Sequence, residues 1–167
     1  LDFFLLAMDQ LINSASKWYY MFGGQQSVPI TIRLIIGRGW GQGPTHSQNL
    51  QAWFAHMPGL KVVMPTTAED AKGLLTASLF DPNPVVFLEH ELMYNEKFMV
   101  NDDNNIPAIG KAKILKQGSD ITIVAFSRAL QTALKADELL KREKVSAEII
   151  NLRSLKFSTN FLIIFKY

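Results

Sequence analysis

His46 stands in the run Pro44-Thr45-His46-Ser47-Gln48, directly after the glycine-rich stretch Gly37-Arg38-Gly39-Trp40-Gly41-Gln42-Gly43. A histidine at a helix start is a candidate proton acceptor, because the positive end of a helix disfavours imidazolium. Taken alone, a loop histidine is more often an ordinary polar residue. The glycines invite a dinucleotide-binding reading, but their spacing defeats it. That fingerprint needs glycines at the first, third and sixth positions. Here the sixth position is Gln42 counted from Gly37, and Pro44 counted from Gly39. Asp81-Pro82-Asn83-Pro84 is first of all a turn signature. It also sets a carboxylate and an amide oxygen just past a helix C-terminus, where free carbonyls carry partial negative charge and a monovalent cation could be held. Phe3 and Phe4 precede the first helix and read as core aromatics unless a planar ligand has to be stacked. His56 reads as a helix-end residue, and His90 follows a strand end with no evident partner. No two histidines have metal-ligand spacing. The sequence holds no Ser-His-Asp arrangement, no P-loop and no obvious pair of catalytic carboxylates.

The composition narrows the classes further. There is no cysteine, so neither a disulfide nor a thiolate nucleophile or ligand is available. The formal charge of +2 is small and the Lys and Arg residues are scattered, which argues against nucleic acid or an anionic membrane as partner. No apolar run reaches the roughly 20 residues that span a bilayer. The opening LDFFLLAMDQLI has an early Asp2 and no basic leader, and so does not read as a signal peptide. Both ends are expected to be cut rather than finished. With 48% hydrophobic residues in 167, the chain can bury one core or one core and part of another.

The elements that must position these residues follow from periodicity. Residues 4–20 carry apolar side chains at helical spacing, with Gly23-Gly24 as the stop. Residues 28–36 form a β-branched apolar run that predicts a buried strand, residues 47–55 a short helix, and residues 61–64 a second strand stopped at Pro65. Thr66 to Glu69 has capping-box spacing and opens a helix to about Phe80, followed by a third strand at 85–88. Strand, helix, strand, helix, strand with short joints predicts a parallel sheet covered by helices on both faces. Residues 95–109 are polar and read as a linker, with Asn101-Asp102-Asp103-Asn104-Asn105 at its centre. A strand at 121–126, an amphipathic helix at 129–142 and a strand at 147–151 begin a second unit, too small for a complete α/β domain.

Several segments together resemble one family in order and spacing. They include Ala7-Met8-Asp9-Gln10-Leu11-Ile12-Asn13-Ser14-Ala15, Thr45-His46-Ser47-Gln48, the run from Ala55 through Pro58-Gly59-Leu60-Lys61-Val62-Val63-Met64-Pro65, Asp70-Ala71-Lys72-Gly73-Leu74-Leu75, Asn83-Pro84-Val85-Val86-Phe87-Leu88-Glu89 and Ile109-Gly110-Lys111-Ala112. The chain resembles the β subunits of thiamine-diphosphate-dependent 2-oxo acid dehydrogenases, the E1 components of pyruvate-type complexes, over roughly residues 3–156. The resemblance implies an α/β fold: a partial transketolase-like pyrimidine-binding domain over 1–94, a linker over 95–109 and the start of a transketolase C-terminal domain over 110–167. It implies oxidative decarboxylation of a 2-oxo acid, pyruvate before others, with acyl transfer to lipoyl groups of the E2 acyltransferase. Thiamine diphosphate would be shared with an E1 α subunit in an α2β2 heterotetramer, the α subunit holding Mg2+. Phe3 would take the aromatic position that stacks on the aminopyrimidine, and His46 that of the histidine implicated in reductive acylation of the lipoyl group. Val28, Ile30, Thr31, Ser78, Asp81 and Asn83 match a potassium site built mostly of backbone oxygens. The location implied is the cytoplasm in a bacterium or the mitochondrial matrix in a eukaryote. The sequence departs from the family at the loop 34–44 and after Leu155. The glutamate that activates the cofactor would fall before residue 1, so the piece by itself is expected to be inactive. The rival readings are a non-catalytic assembly or binding fragment and an acetoin-dehydrogenase-type β subunit.

Overall fold

The computed structural model describes residues 2–100 and 106–156. The centre of the expected linker at 101–105 and the closing residues 157–167 lie outside the described residues. The first apolar periodic segment winds helically in three successive registers: a 3-10 stretch over Asp2–Ala7, a π turn over Gln10–Ala15 and helix α1 over Ser16–Met21. It stops where the glycines require. Gly23 and Gly24 take φ of 62° and 78°, and the Gly24 N–H closes on the Tyr19 carbonyl at 2.8 Å.

The remaining described elements follow as β1 (Thr31–Ile36), α2 (Gln51–His56), β2 (Lys61–Val63), α3 (Ala68–Leu79), β3 (Val85–His90), a 3-10 turn (Glu91–Met93), β4 (Lys113–Lys116), β5 (Ile121–Ala125), α4 (Arg128–Arg142), β6 (Ala147–Asn151) and β7 (Ser154–Lys156). One sheet has the order β1-β3-β2-β7 and the other β4-β6-β5. In the first, β1, β3 and β2 run parallel in register Thr31↔Val85 and Lys61↔Val85. The crossovers between them run through α2 and α3, as parallel pairing demands. The central strand β3 separates two cores by simple alternation. Val86 and Leu88 join Leu11, Leu34, Ile36, Phe54, Leu60 and Val62 on one face, while Val85 and Phe87 join Val63 and Leu74 of α3 on the other. Both faces are therefore covered, which is why this strand reads as an unbroken apolar run.

Three local expectations shift. Helix α2 begins at Gln51 rather than near Ser47, so His46 lies five residues ahead of it and outside the reach of its terminal field. The cap of α3 is Thr67, whose hydroxyl accepts the Asp70 N–H at 3.1 Å; Thr66 instead turns its hydroxyl to Asn151 Oδ1 at 3.4 Å. Finally, each sheet ends in an antiparallel strand: β7 pairs with β2, and β4 pairs with β6. These two strands are three and four residues long, with no alternation strong enough to mark them in the sequence.

Strand β7 ties the sheets together. It follows directly on β6 of the second sheet and is an edge of the first. Beside it lies a buried polar cluster. Asp70, 2% exposed, accepts from Asn151 Nδ2 at 2.8 Å and pairs with Arg153 Nη2 at 2.7 Å. The Arg153 carbonyl accepts the Met64 N–H at 2.8 Å, and Ser154 Oγ accepts the Gly110 N–H at 2.9 Å. At the other end of the first sheet, Gly59 allows the turn before β2 to meet the first helix. A Cβ on Gly59 would stand 1.9 Å from the Ser16 carbonyl oxygen.

Candidate functional site

The carboxyl ends of β1, β3 and β2 are where an open parallel sheet offers a binding crevice. The segment that leaves β1 carries the glycine loop and His46 to that end. His46 meets the first helical run there. His46 Nδ1 lies 2.6 Å from Asp2 Oδ2, and the imidazole and Phe3 ring are edge to face with centroids 6.1 Å apart. The two pairs are 44 and 43 positions apart in sequence, so only the fold brings them together. The Phe3 side chain is 74% exposed. An aromatic face left open beside a histidine–carboxylate pair can receive a planar ligand. Phe4, its neighbour, turns inward and packs on Phe54 with centroids 5.9 Å apart, so the expected core role goes to Phe4 and not to Phe3.

The carboxylate partner fixes which nitrogen of His46 points where. With Nδ1 directed at Asp2, Nε2 is the nitrogen left to face an incoming group. Asp2 carries no sequence signal for this role: it belongs to no motif and becomes a partner only through the loop's path. The loop itself is fastened by the Trp40 indole N–H, which donates to the His46 carbonyl at 3.1 Å, and by Gln48 Nε2, which donates to the Thr45 carbonyl at 2.9 Å.

His90, which the sequence left without a partner, packs beneath the start of this loop. A Cβ placed on Gly37 would meet the His90 ring at 2.7–3.0 Å. The His90 Nδ1 accepts the Leu92 N–H at 3.3 Å and so caps the following 3-10 turn. Burial, helped by the Arg128 guanidinium, holds this imidazole below its ordinary range against the opposing pull of Glu91, which keeps Nδ1 free to accept. His90 also borders a cavity of about 200 Å³, lined by Pro65, Ala68, Glu89, Met93 and Phe98 as well.

The six residues expected to form the oxygen cluster lie before and at the start of β1 and around the end of α3, at the opposite end of the sheet. Thr31 Oγ1 donates to the Ser78 carbonyl at 2.8 Å. The Ile30 N–H reaches the Val28 carbonyl at 2.9 Å, and the Ile30 carbonyl takes the Val85 N–H at 2.9 Å. Asp81 Oδ1 accepts both the backbone and the side-chain N–H of Asn83 at 2.9 Å, forming the expected turn. A further residue enters that the motif did not include: Lys61 Nζ stands 2.5 Å from Asp81 Oδ2. Burial works to raise the Asp81 carboxyl, and the hydrogen bonds from Lys61 and Asn83 overcome it and hold the group below the usual carboxylate range. Thr31 opens β1 and Gly37 leaves it, so the cluster and the His46 region are separated by the length of a six-residue strand, roughly 17–20 Å. The candidate residues therefore form two places, not one. Among the described residues no group of three or more His, Cys, Asp or Glu side chains converges to hold a metal ion.

Comparison with known proteins agrees with this fold. Residues 1–97 match the family model for the transketolase pyrimidine-binding domain, and residues 110–164 match that for the transketolase C-terminal domain. The chain is 52% identical over 159 residues to the mitochondrial pyruvate dehydrogenase E1 component subunit beta-1 of Oryza sativa, covering 93% of this chain and 42% of that protein. It is 51% identical to the corresponding subunit of Caenorhabditis elegans and 46% identical to that of Saccharomyces cerevisiae, in each case over 93% of this chain and 45% and 43% of the relative. The chain thus spans less than half the length of the curated relatives it matches. Among solved structures, a split-gene transketolase described as an inactive beta4 tetramer superposes with a TM-score of 0.73 at 21% identity, over 91% of this chain and 46% of that one. A transketolase mutant from Pichia stipitis superposes with a TM-score of 0.61 at 20% identity, over 83% of this chain and 22% of that one. The parallel sheet is thus a known framework, and the chain belongs to the transketolase pyrimidine-binding domain family.

Proposed function

We propose that this chain is part of the β subunit of a thiamine-diphosphate-dependent pyruvate dehydrogenase E1 component. The observation that carries the reading is the identity of about half of all residues, sustained over 159 positions, with pyruvate dehydrogenase E1 β subunits of plants, animals and yeast. When bound, thiamine diphosphate supplies the nucleophilic carbon and the electron sink for decarboxylation. The chain's own residues have narrower tasks. Phe3 offers its exposed face to the aminopyrimidine ring. His46, oriented by Asp2, presents Nε2 to the acyl acceptor and moves the proton that its thiol must lose or gain during reductive acylation. An E1 α subunit completes the site with the diphosphate and Mg2+ ligands, and the acceptor is a lipoyl group of E2.

The same reading gives the oxygen cluster a potassium ion in a structural role. Because Lys61 already neutralises Asp81, the ion would be held by the carbonyls of Val28, Ile30, Ser78, Asp81 and Asn83 and by the Thr31 hydroxyl rather than by carboxylate charge. The division into a pyrimidine-binding unit over 1–94, a linker over 95–109 and a C-terminal unit from 110 is part of the same reading. The mitochondrial relatives support a matrix location in a eukaryote, and a bacterial owner would keep the protein in the cytoplasm. No described helix is long and apolar enough to cross a membrane.

The test is to pair the full-length protein with an E1 α subunit and follow association, thiamine diphosphate binding and carbon dioxide release from pyruvate. Cofactor-dependent release is expected from the pair and none from this chain alone. Turnover of acetoin in place of pyruvate would move the assignment to an acetoin-dehydrogenase-type β subunit. Association without turnover of any 2-oxo acid would leave an assembly role.

A further inference from the structure

We propose that His90 is a positioning residue for His46, acting through the loop that runs from Gly37 to His46. The inference rests on the reading of His46 as the proton-moving group. The imidazole of His90 lies flat against the Gly37 backbone, so close that no side chain could stand between them. Its orientation is fixed from behind by the Leu92 N–H on Nδ1 at 3.3 Å. Leu92 lies beside the next stretch, with its Cδ1 3.8 Å from where a Cβ on Gly39 would lie. From there Trp40 reaches the His46 carbonyl at 3.1 Å, and Asp2 takes the imidazole at 2.6 Å. His90, Leu92, Trp40 and Asp2 thus stand against successive points of the segment from Gly37 to His46.

The loop needs such an anchor because of its own composition. Gly37 and Gly39 take φ of 122° and 96°, a region that only glycine enters freely. Glycine enters other regions just as freely, so these residues do not hold a shape by themselves. Removing the ring beneath Gly37 leaves the first joint of the loop unsupported. A displacement of about 1 Å at a reacting group can cost about 100-fold in rate.

The experiment uses the full-length protein paired with an E1 α subunit, with His90→Ala, His90→Leu and His90→Asn. Two readouts are taken: tryptic cleavage after Arg38, which is exposed in the loop, and steady-state acyl transfer from pyruvate to a lipoyl acceptor. Cleavage after Lys135, exposed on α4, reports general loosening. Expected for His90→Ala is cleavage after Arg38 at least about tenfold faster with Lys135 unchanged, and a kcat about tenfold lower at unaltered KM for pyruvate. His90→Asn keeps an acceptor for the Leu92 N–H and restores most of both. His90→Leu covers Gly37 without that acceptor and falls between, so the comparison survives if the alanine variant does not fold. Unchanged cleavage after Arg38 in all three variants overturns the proposal, and so does faster cleavage with kcat untouched while His46→Gln abolishes transfer. If His46→Gln leaves transfer intact, the reading of His46 is what fails, and the proposal fails with it.

Discussion

The residue that decides most about His46 is one with no motif of its own. Asp2 orients the imidazole from 2.6 Å, and the pair is only partly buried, with side chains 18% and 41% exposed. Its value lies in orientation more than in binding energy. Asp2→Asn is expected to leave cofactor affinity unaltered and to lower acyl transfer to the lipoyl acceptor. His46→Gln should lower the same step by about 100-fold or more, the range for loss of a general acid–base group. Stopped-flow measurement of single-turnover acyl transfer separates that step from decarboxylation, and equal losses in both would remove the assignment. Asp81 supports a different expectation, on stability. Its carboxyl is held below the usual range, so its contribution is fully present above the ordinary value of 3.8 and is lost as pH falls through the lowered value. Denaturant midpoints measured downward from pH 6 should fall below about pH 4 in the wild type. The fall should be shallower in Asp81→Asn, and identical slopes would contradict it.

At the scale of elements, the close approach at Gly59 is the most sensitive joint. Gly59 takes φ of 86° and stands where a Cβ would lie 1.9 Å from a backbone oxygen. The Lys17 ammonium reaches the Pro58 carbonyl beside it at 3.0 Å. Gly59→Ala is therefore expected to cost roughly 2–4 kcal/mol, by strain and by forcing α1 off the sheet. A loss below about 0.5 kcal/mol in urea titration would show that the helix moves freely. This joint was legible in the sequence only as a glycine after a proline. The long elements were legible in full: the positions of α3, α4, β5 and β6 follow from period and flanking turns, since each is bounded by strong local signals. The cap of α3 slipped by one residue because Thr66 and Thr67 are chemically equal, and the choice is made by Asn151, 85 positions later. The helix before β2 starts late because Ser47 and Gln48 spend their polar groups on the loop behind them. Of the candidate site, Phe3, His46 and the residues of the oxygen cluster could be named through the family resemblance, not from local pattern. Asp2, His90 and Lys61 could not, because their partners lie 44, 53 and 20 positions away, beyond any local pattern.

Across the whole molecule, the polar cluster of Asp70, Asn151, Arg153 and Thr66 joins the two sheets. A buried carboxylate with its partner removed is costly, so Asp70→Ala and Arg153→Ala are each expected to lose about 3–5 kcal/mol. Replacing both, as Asp70→Ala with Arg153→Ala, should cost less than the two losses added. Equilibrium unfolding in urea, followed at once by tryptophan fluorescence and by far-ultraviolet circular dichroism, reads this directly. Additive losses in the double variant would mean the pair does not interact. Potassium belongs to this scale as well. Exchange of potassium for tetramethylammonium is expected to lower the melting temperature of the assembled protein by a few degrees, as for any ligand that binds only the folded state. No shift between 1 and 100 mM potassium would discard the cation site.

The edge strand β7 also has a consequence for the order in which the chain is made. Strand β2 leaves the ribosome with Lys61–Val63, whereas the strand that closes its free edge begins at Ser154, roughly 90 residues later. At about 5–20 residues per second, β2 waits on the order of 5–20 s for that partner. During that interval an apolar strand stands with its N–H and C=O groups open, an invitation to pair with a neighbouring nascent chain. A holdase that covers unpaired strand edges would act on β2 in that interval, before Ser154–Lys156 has been made.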